Sequence, residues 1–244
     1  MIITASGNER IKSLKRLIKD KKERDESGLY VAEGLTMFAD LDRTTIESVY
    51  VKESKRDEIE KLVVDLPCFV VKDSVFDGIA DTKTPSGVIA VVKKSPADLS
   101  DAGDTTAVLC GVADAGNVGT IMRTACARGI RTLFFVDTAD PYSPKAVRAS
   151  MGAVQKLNIV STDYETVFRT LCDYDKLVLD AAGSDVYEYV RAKKIALFIG
   201  NEAHGVPDEV KKRCDRVLSI PMEKGSVESL NAAVAAGVAM YLIR

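Results

Sequence analysis

The sequence predicts an α/β protein in two parts: a small α/β domain with a basic helix, then a larger α/β domain built on a parallel sheet. Three observations carry this. From residue 106 onward, continuous apolar runs alternate with helical segments, the pattern of strands covered on both faces of a parallel sheet. In the first part the strand-like runs are fewer and follow a highly charged helix. Between the two lies KKSPADLSDAGDTT, which holds Pro96 and Gly103, lacks apolar periodicity and reads as a linker. Domains are therefore expected at residues 1–94 and 106–244, joined by 95–105.

Taking the elements in order, residues 10–24 (RIKSLKRLIKDKKER) carry eight basic and two acidic side chains. Ile11, Leu14, Leu17 and Ile18 fall at helical spacing, so one amphipathic helix with a basic outer face is expected. Strand-like runs follow at 46–51 and 67–71, separated by a charged helical segment from Ser54, and at 87–92. The second part has strand candidates at 107–112, 132–137, 157–160, 176–181, 195–200 and 216–221. Helices are expected at roughly 117–129, 144–150, 163–172, 207–213 and 229–243.

Composition narrows the function classes. With 244 residues and 46% apolar side chains the chain can bury a substantial core. A net charge of −2 argues against a wholly basic coat but permits a local basic face. The five cysteines (68, 110, 126, 172 and 214) are dispersed without a C-x-x-C, and His204 is the single histidine. A Cys/His zinc site or Cys/His nucleophile pair is therefore not expected, and no metal is predicted. The start, MIITASGNERIKSL, lacks the apolar core of a signal peptide. The longest apolar run, Ala232 to Ile243, is interrupted by Gly237 and is shorter than the ~20 residues a bilayer span needs. A soluble, cytoplasmic protein without membrane association is the expectation.

Ligands of open α/β sheets gather at the carboxyl ends of strands, and three segments of the second part place Gly, Asn and charge there. In CGVADAGNVGTIMRTACARG a strand runs into a helix that Asn117 can cap, with Arg123 further along. Gly116-x-x-Gly119 and the later Asp137 suggest a dinucleotide fingerprint, but Asp114 stands where that pattern needs glycine and would oppose a pyrophosphate. Read alone, Arg123 is a solvated helix arginine. In LFIGNEAHGVPDEV, Gly200 ends a strand, Glu202 and His204 occupy the turn, and Pro207 starts a helix. His204 reads as a loop residue, whereas a carboxylate between two glycines at a strand end has few structural duties. In LSIPMEKGSVESLNAAVAAGVAMYLIR, Ser229 or Asn231 opens a helix that is apolar nearly all round. Such a helix is a core element or a buried subunit interface.

Together these segments resemble the SPOUT superfamily, specifically the SpoU/TrmH family of RNA ribose 2′-O-methyltransferases. GNVGTIMRTACARG, FIGNEAHGV and IPMEKGSVESLNAAVA match its three motifs in order and spacing, and RASMGA (148–153) sits where the family carries a similar stretch. Residues N8-E-R-I-K-x-L, the basic helix and GLYVAEG (28–34) resemble the L30e-like substrate-binding domain that often precedes the catalytic domain. The resemblance implies a C-terminal SPOUT domain with a deep trefoil knot, a homodimer formed through it, and S-adenosylmethionine as cofactor. Unknotted topology would otherwise be the expectation.

Carried over position by position, the resemblance implies catalytic roles for Asn117, Arg123, Glu202, Ser229 and Asn231. Arg123 is already protonated in water and has no lone pair with which to accept a proton, so stabilising a 2′-alkoxide or holding the adjacent phosphate suits it better. Cofactor contacts fall on Gly200, Gly205, Ile220, Met222 and Leu230. RNA contacts are expected at Arg10, Lys12, Lys15, Arg16 and Lys19 of the basic helix. One departure stands in the third motif: many members read N-V-S-V-A where this chain has Asn231-Ala-Ala-Val-Ala235. The competing readings are a SPOUT enzyme acting on a base atom, a catalytically inactive RNA-binding module, and a dinucleotide oxidoreductase. Ribosomal RNA is expected over transfer RNA as substrate.

Overall fold

In a computed structural model of the protein, residues 2–100, 102–223, 225, 227 and 229–243 are described. The chain divides into two compact units, one of Met1–Ser95 with Tyr142–Gln155 and the other of Pro96–Pro141 with Lys156–Arg244.

The first unit runs β1 (Ile2–Ile3), α1 (Glu9–Lys19), α2 (Lys21–Ser27), β2 (Leu29–Glu33), α3 (Leu35–Ala39), β3 (Ile46–Lys52), α4 (Arg56–Ile59), β4 (Cys68–Val71), α5 (Asp73–Asp77) and β5 (Val88–Lys93). Its sheet has the order β1-β4-β3-β5-β2. β1, β4 and β3 are parallel, while β5 is antiparallel to both β3 and β2. Ile11, Leu14 and Leu17 of α1 are buried in a core with Val31, Tyr50, Phe76, Ile89 and Val91.

Two sequence expectations are corrected here. The helix expected over 10–24 is two helices, because Asp20 adopts an extended backbone (φ −113°, ψ 118°) and caps α2. Its Oδ1 accepts from the Lys22 N–H at 2.9 Å. Arg24 folds back and donates to the Leu17 carbonyl at 2.6 Å and the Ile18 carbonyl at 3.1 Å. It thereby satisfies carbonyls that the end of α1 leaves open; Arg24 is buried and is not part of the basic face. The second correction is β2, which was not foreseen as a strand. Its residues LYVAE are paired with β5 and almost wholly buried. Buried Glu33 accepts from the Asp81 N–H at 2.8 Å.

The expected helix 144–150 is present as Pro144–Ser150, but its segment groups with the first unit and not with the second. Tyr142 places its ring 5.3 Å from that of Tyr30. Gln155 donates to the Asp40 carbonyl at 2.7 Å and accepts from the Asp42 N–H at 2.9 Å.

The second unit comprises β6 (Thr105–Cys110), α6 (Ala115–Arg128), β7 (Thr132–Val136), β8 (Asn158–Ser161), α8 (Tyr164–Thr170), β9 (Asp175–Asp185), β10 (Ile195–Ile199), α9 (Asp208–Lys211), β11 (Arg216–Ser219) and α10 (Ala232–Leu242); Pro144–Ser150 is α7 in chain order. Its sheet has the order β11-β9-β10-β6-β7-β8, and every neighbouring pair is parallel. Burial explains why: β7 and β10 are buried at every position, and only parallel sheets covered on both faces need that.

The strand expected at 176–181 extends to Asp185 and carries an irregularity that shapes the unit. Val217 pairs with Val178, yet the next residue of β11, Leu218, pairs with Ser184. The intervening residues 179–183 leave the ladder and swing away from β11. On their return Gly183 crosses β11 so closely that a Cβ there would lie 2.5 Å from the Leu218 carbonyl carbon.

Candidate active site

The middle of β9 and the carboxyl ends of β10 and β11 enclose a cavity of about 270 Å³ within the second unit. One wall is the excursion at Leu179, Asp180 and Ala181. The second is the loop after β10, and the third is the chain after β11 up to the start of α10. Gly200, Gly205, Ile220, Met222 and Leu230, the five positions expected to touch the cofactor, all line this one cavity, as do Glu202 and Ser229. Lys224, Ser226 and Glu228 of the third motif lie outside the described residues.

The loop after β10 is held by its own backbone. Asn201 and Gly205 exchange N–H···O bonds at 3.0 and 2.9 Å, closing a tight turn around Glu202. The Asn201 side chain fixes that turn from both sides. Its Oδ1 accepts from the Ala203 N–H at 2.8 Å, and its Nδ2 donates to the Gly111 carbonyl at 2.8 Å. Gly200 is required because a Cβ would sit 2.1 Å from the Gly205 carbonyl carbon. Sequence reasoning named Gly200, Glu202 and His204 in this loop but missed Asn201. The available signal was an asparagine directly after a strand-ending glycine, the composition of an Asx turn.

Asn117 has a different role from the cap expected of it. Asp114 is the N-cap of α6, accepting from the Asn117 N–H at 3.0 Å. The aspartate that spoils the dinucleotide fingerprint is thus explained by helix capping. The Asn117 side chain is freed to point across the strand ends, where its Nδ2 donates to Glu202 Oε1 at 2.6 Å. Its Oδ1 accepts from Asn231 Nδ2 at 3.1 Å. Asn231 in turn is the N-cap of α10, accepting from the Ala233 N–H at 2.9 Å and the Val234 N–H at 3.3 Å. A polar relay, Asn231–Asn117–Glu202, thereby ties three sequence-distant motifs together, and every amide orientation in it is set by a donor or acceptor.

Arg123 is exposed on α6 and is not joined to this relay among the described residues. Ser229 is exposed at the cavity. α10 lies against α6, with a Cβ at Gly237 falling 3.5 Å from Thr124 Cγ2. His204 is exposed in the turn, as a loop residue would be.

Asp180 is a cavity residue that sequence reasoning also missed; an acid ending an apolar strand was the signal. It pairs with Lys211, whose hydrogen bond, helped by the Ala182 N–H, holds the Asp180 carboxyl below the usual carboxylate range. The same contact raises the Lys211 ammonium. The cavity thus has apolar walls, the Asp180 carboxylate kept ionised at one side, and at another Glu202, which the Asn117–Asn231 amides hold. Among the described residues no group of His, Cys, Asp or Glu could hold a metal ion, and no helix is long and apolar enough to cross a membrane.

In the first unit, the five expected RNA contacts lie along α1. Arg10, Lys12, Arg16 and Lys19 are exposed and Lys15 is half-buried. Lys12 pairs with Glu9 at 2.7 Å and Arg16 with Glu23 at 3.3 Å, so part of the positive charge is locally balanced. Arg10 stacks its guanidinium 4.2 Å from the centre of the Phe69 ring.

The chain matches known proteins over both units. Residues 104–241 match the SpoU rRNA Methylase family, and residues 8–90 match the MRM3-like substrate binding domain. A curated relative, the 23S rRNA (guanosine(2553)-2′-O)-methyltransferase RlmP of Bacillus subtilis, is 28% identical over 99% of this chain and 98% of its own. An AdoMet-bound rRNA methyltransferase from Sinorhizobium meliloti superposes with a TM-score of 0.85 at 29% identity, covering 99% of this chain and 96% of that one. The SpoU methyltransferase AviRb from Streptomyces viridochromogenes, solved in complex with AdoMet, gives 0.86 at 25% identity over 96% of each chain. With more than half of its length matched, and with the strand-end cavity and amide relay built from its three motifs, this chain belongs to the SpoU rRNA methylase family.

Proposed function

We propose that the chain transfers a methyl group from S-adenosylmethionine to a ribose 2′-hydroxyl of ribosomal RNA. The observation that carries this reading is the convergence of Asn117, Glu202 and Asn231 beside a cavity at the strand ends. The cavity fits the cofactor. Its apolar side chains (Ile199, Leu218, Ile220, Met222, Leu230) suit an adenine ring, and the backbone approach allowed by Gly200 and Gly205 offers N–H and C=O groups to its edges. When bound, S-adenosylmethionine supplies a methyl group on a sulfonium, already a good leaving group. The rate is then set by orientation and water exclusion, which the chain's own residues provide. Arg123 brings fixed positive charge to the developing 2′-alkoxide and the neighbouring phosphate. The relay holds Glu202 in place at the cavity, and Ser229 presents a hydroxyl at its edge.

The two domains then divide the labour, the first unit holding RNA through α1 as an L30e-like module and the second carrying the reaction. Support for a homodimer through the second unit comes from α10, an apolar helix on which Val234 is 52% and Tyr241 50% exposed while the other residues are buried or half-buried. The trefoil knot is proposed on the resemblance to the SpoU/TrmH family; Gly183 approaches Leu218 closely where residues 179–183 rejoin the β11 ladder. A cytoplasmic location follows from a ribosomal RNA substrate.

The test is to incubate the wild type and Arg123→Ala with methyl-labelled S-adenosylmethionine and ribosomal RNA from cells lacking the gene, then digest to nucleosides. Label in a 2′-O-methylnucleoside, reduced at least 100-fold in the variant while cofactor affinity is kept, is the expected result. Label in a base would overturn the ribose assignment, and cofactor binding without any label would favour the inactive RNA-binding module.

A further inference from the structure

A second cavity, of about 410 Å³, lies wholly within the first unit, between α1 and the strands β3 and β4. Its floor is apolar, with buried Leu14, Leu17 and Val91, and its mouth is not. Phe69 and Tyr50 meet there with ring centres 5.5 Å apart, and the Arg10 guanidinium carbon lies over the Phe69 ring, 4.2 Å from its centre. Ser13, Ser48 and Glu47 add hydroxyl and carboxylate groups at the rim. Tyr50 is buried deeply enough that its phenol is pushed above its ordinary range, with Ser48 and Arg10 acting against that shift. Its hydroxyl is therefore a neutral hydrogen-bonding group.

We propose that this cleft is a clamp for one unpaired nucleobase of the RNA, held on the Phe69–Arg10 stack; the inference rests on the reading of the chain as an RNA methyltransferase. Single-stranded bases are recognised by stacking on aromatic rings and on arginine planes, with polar groups at the edge. Arg10 is exposed beside the Phe69 ring, within reach of a base that stacks on the pair. The exposed charges of Lys12, Arg16 and Lys19 on the same helix attract the phosphates on either side. Ser13, Ser48 and the free oxygen of Glu47, whose other oxygen pairs with Lys93 at 3.1 Å, face the edge of a base and not its phosphate. A paired base in a duplex has neither its face nor its Watson–Crick edge available, so the clamp selects for a loop or bulge.

The experiment measures binding of a labelled twelve-nucleotide single strand and of the matching RNA duplex by the full-length chain, at several salt concentrations. Wild type is compared with Phe69→Leu, which keeps an apolar side chain but removes the ring, and with Arg10→Lys, which keeps the charge but removes the plane. Both variants should bind the single strand about 5- to 100-fold more weakly, with duplex affinity unchanged. For Arg10→Lys the salt dependence should also stay unchanged, because the number of phosphate contacts is kept. A thermal melt matching wild type, together with the kept duplex affinity, reports that the first unit of each variant is folded. Equal weakening for both RNAs, or none, would overturn the clamp while leaving the methyltransferase reading intact. A wild type that binds no RNA and transfers no methyl group would overturn both.

Discussion

Asn117 donates its side-chain amide to Glu202 Oε1 at 2.6 Å, joining the first turn of α6 to the loop after β10 across 85 residues of sequence. The bond orders the amide so that its oxygen is left to accept from Asn231. Replacing Asn117 by Asp sets a second carboxylate against Glu202 and removes the donor. We expect kcat to fall at least tenfold with the KM for cofactor little changed. A double-mutant cycle of Asn117→Ala and Glu202→Ala should give a coupling of about 1 kcal/mol in stability, since Asn117 is half-buried and Glu202 exposed. A coupling near zero would mean that the two groups act independently.

Gly200 has no room for a side chain. A Cβ there would meet the Gly205 carbonyl carbon at 2.1 Å and the Val206 nitrogen at 2.3 Å, both backbone atoms that cannot rotate away. Gly200→Ala should destabilise the second unit by about 3 kcal/mol, a drop in Tm on the order of 6–12 °C, and abolish cofactor binding. Calorimetry and a cofactor titration measure both, and a variant that melts like wild type would contradict the close approach.

The Asp180–Lys211 pair makes a prediction about acid. Lys211 holds the Asp180 carboxyl below its ordinary value, so the pair's contribution is complete above about pH 4 and is lost as pH falls through the lowered folded value. Asp180→Asn should therefore melt lower than wild type at pH 6, and the two curves should converge as pH falls through that lowered value. Parallel curves across that range would show that the pairing is not what depresses the carboxyl.

The cysteines should separate by burial. Cys172 is exposed, whereas burial pushes the Cys110 and Cys214 thiols up to about 12. At pH 8 the latter two are on the order of 10⁻⁴ ionised, and the thiolate is the reactive form. Native protein treated with a thiol reagent should modify Cys172 first, with Cys110 and Cys214 reacting only after unfolding. Mass mapping of the labelled peptides gives the order directly.

Much of the second unit was legible because its strands are written as continuous apolar runs, a local signal that survives without knowledge of partners. Runs such as 132–137 and 195–200 became β7 and β10 with bounds differing by a residue. The first unit was less legible where the signal was short or mixed. LYVAE ends in a charged residue that only its buried contacts to Asp81 and Thr82 excuse, so β2 did not announce itself. Residues 10–24 kept helical spacing throughout, yet Asp20 gains more by capping α2 than by continuing α1, and Arg24 closes the break.

The same division holds at the candidate site. By itself the sequence determined the α/β class, the three strand-end segments and the residue types within them, because glycine, asparagine and proline impose turns and caps through their own backbone preferences. Only the tertiary structure decided that Asp114 caps α6 so that Asn117 can reach Glu202, and that residues 179–183 leave the ladder to wall the cavity. Those outcomes depend on hydrogen bonds and close backbone approaches between segments tens of residues apart. Such contacts exist only once the sheet has set the register that brings the strand ends together.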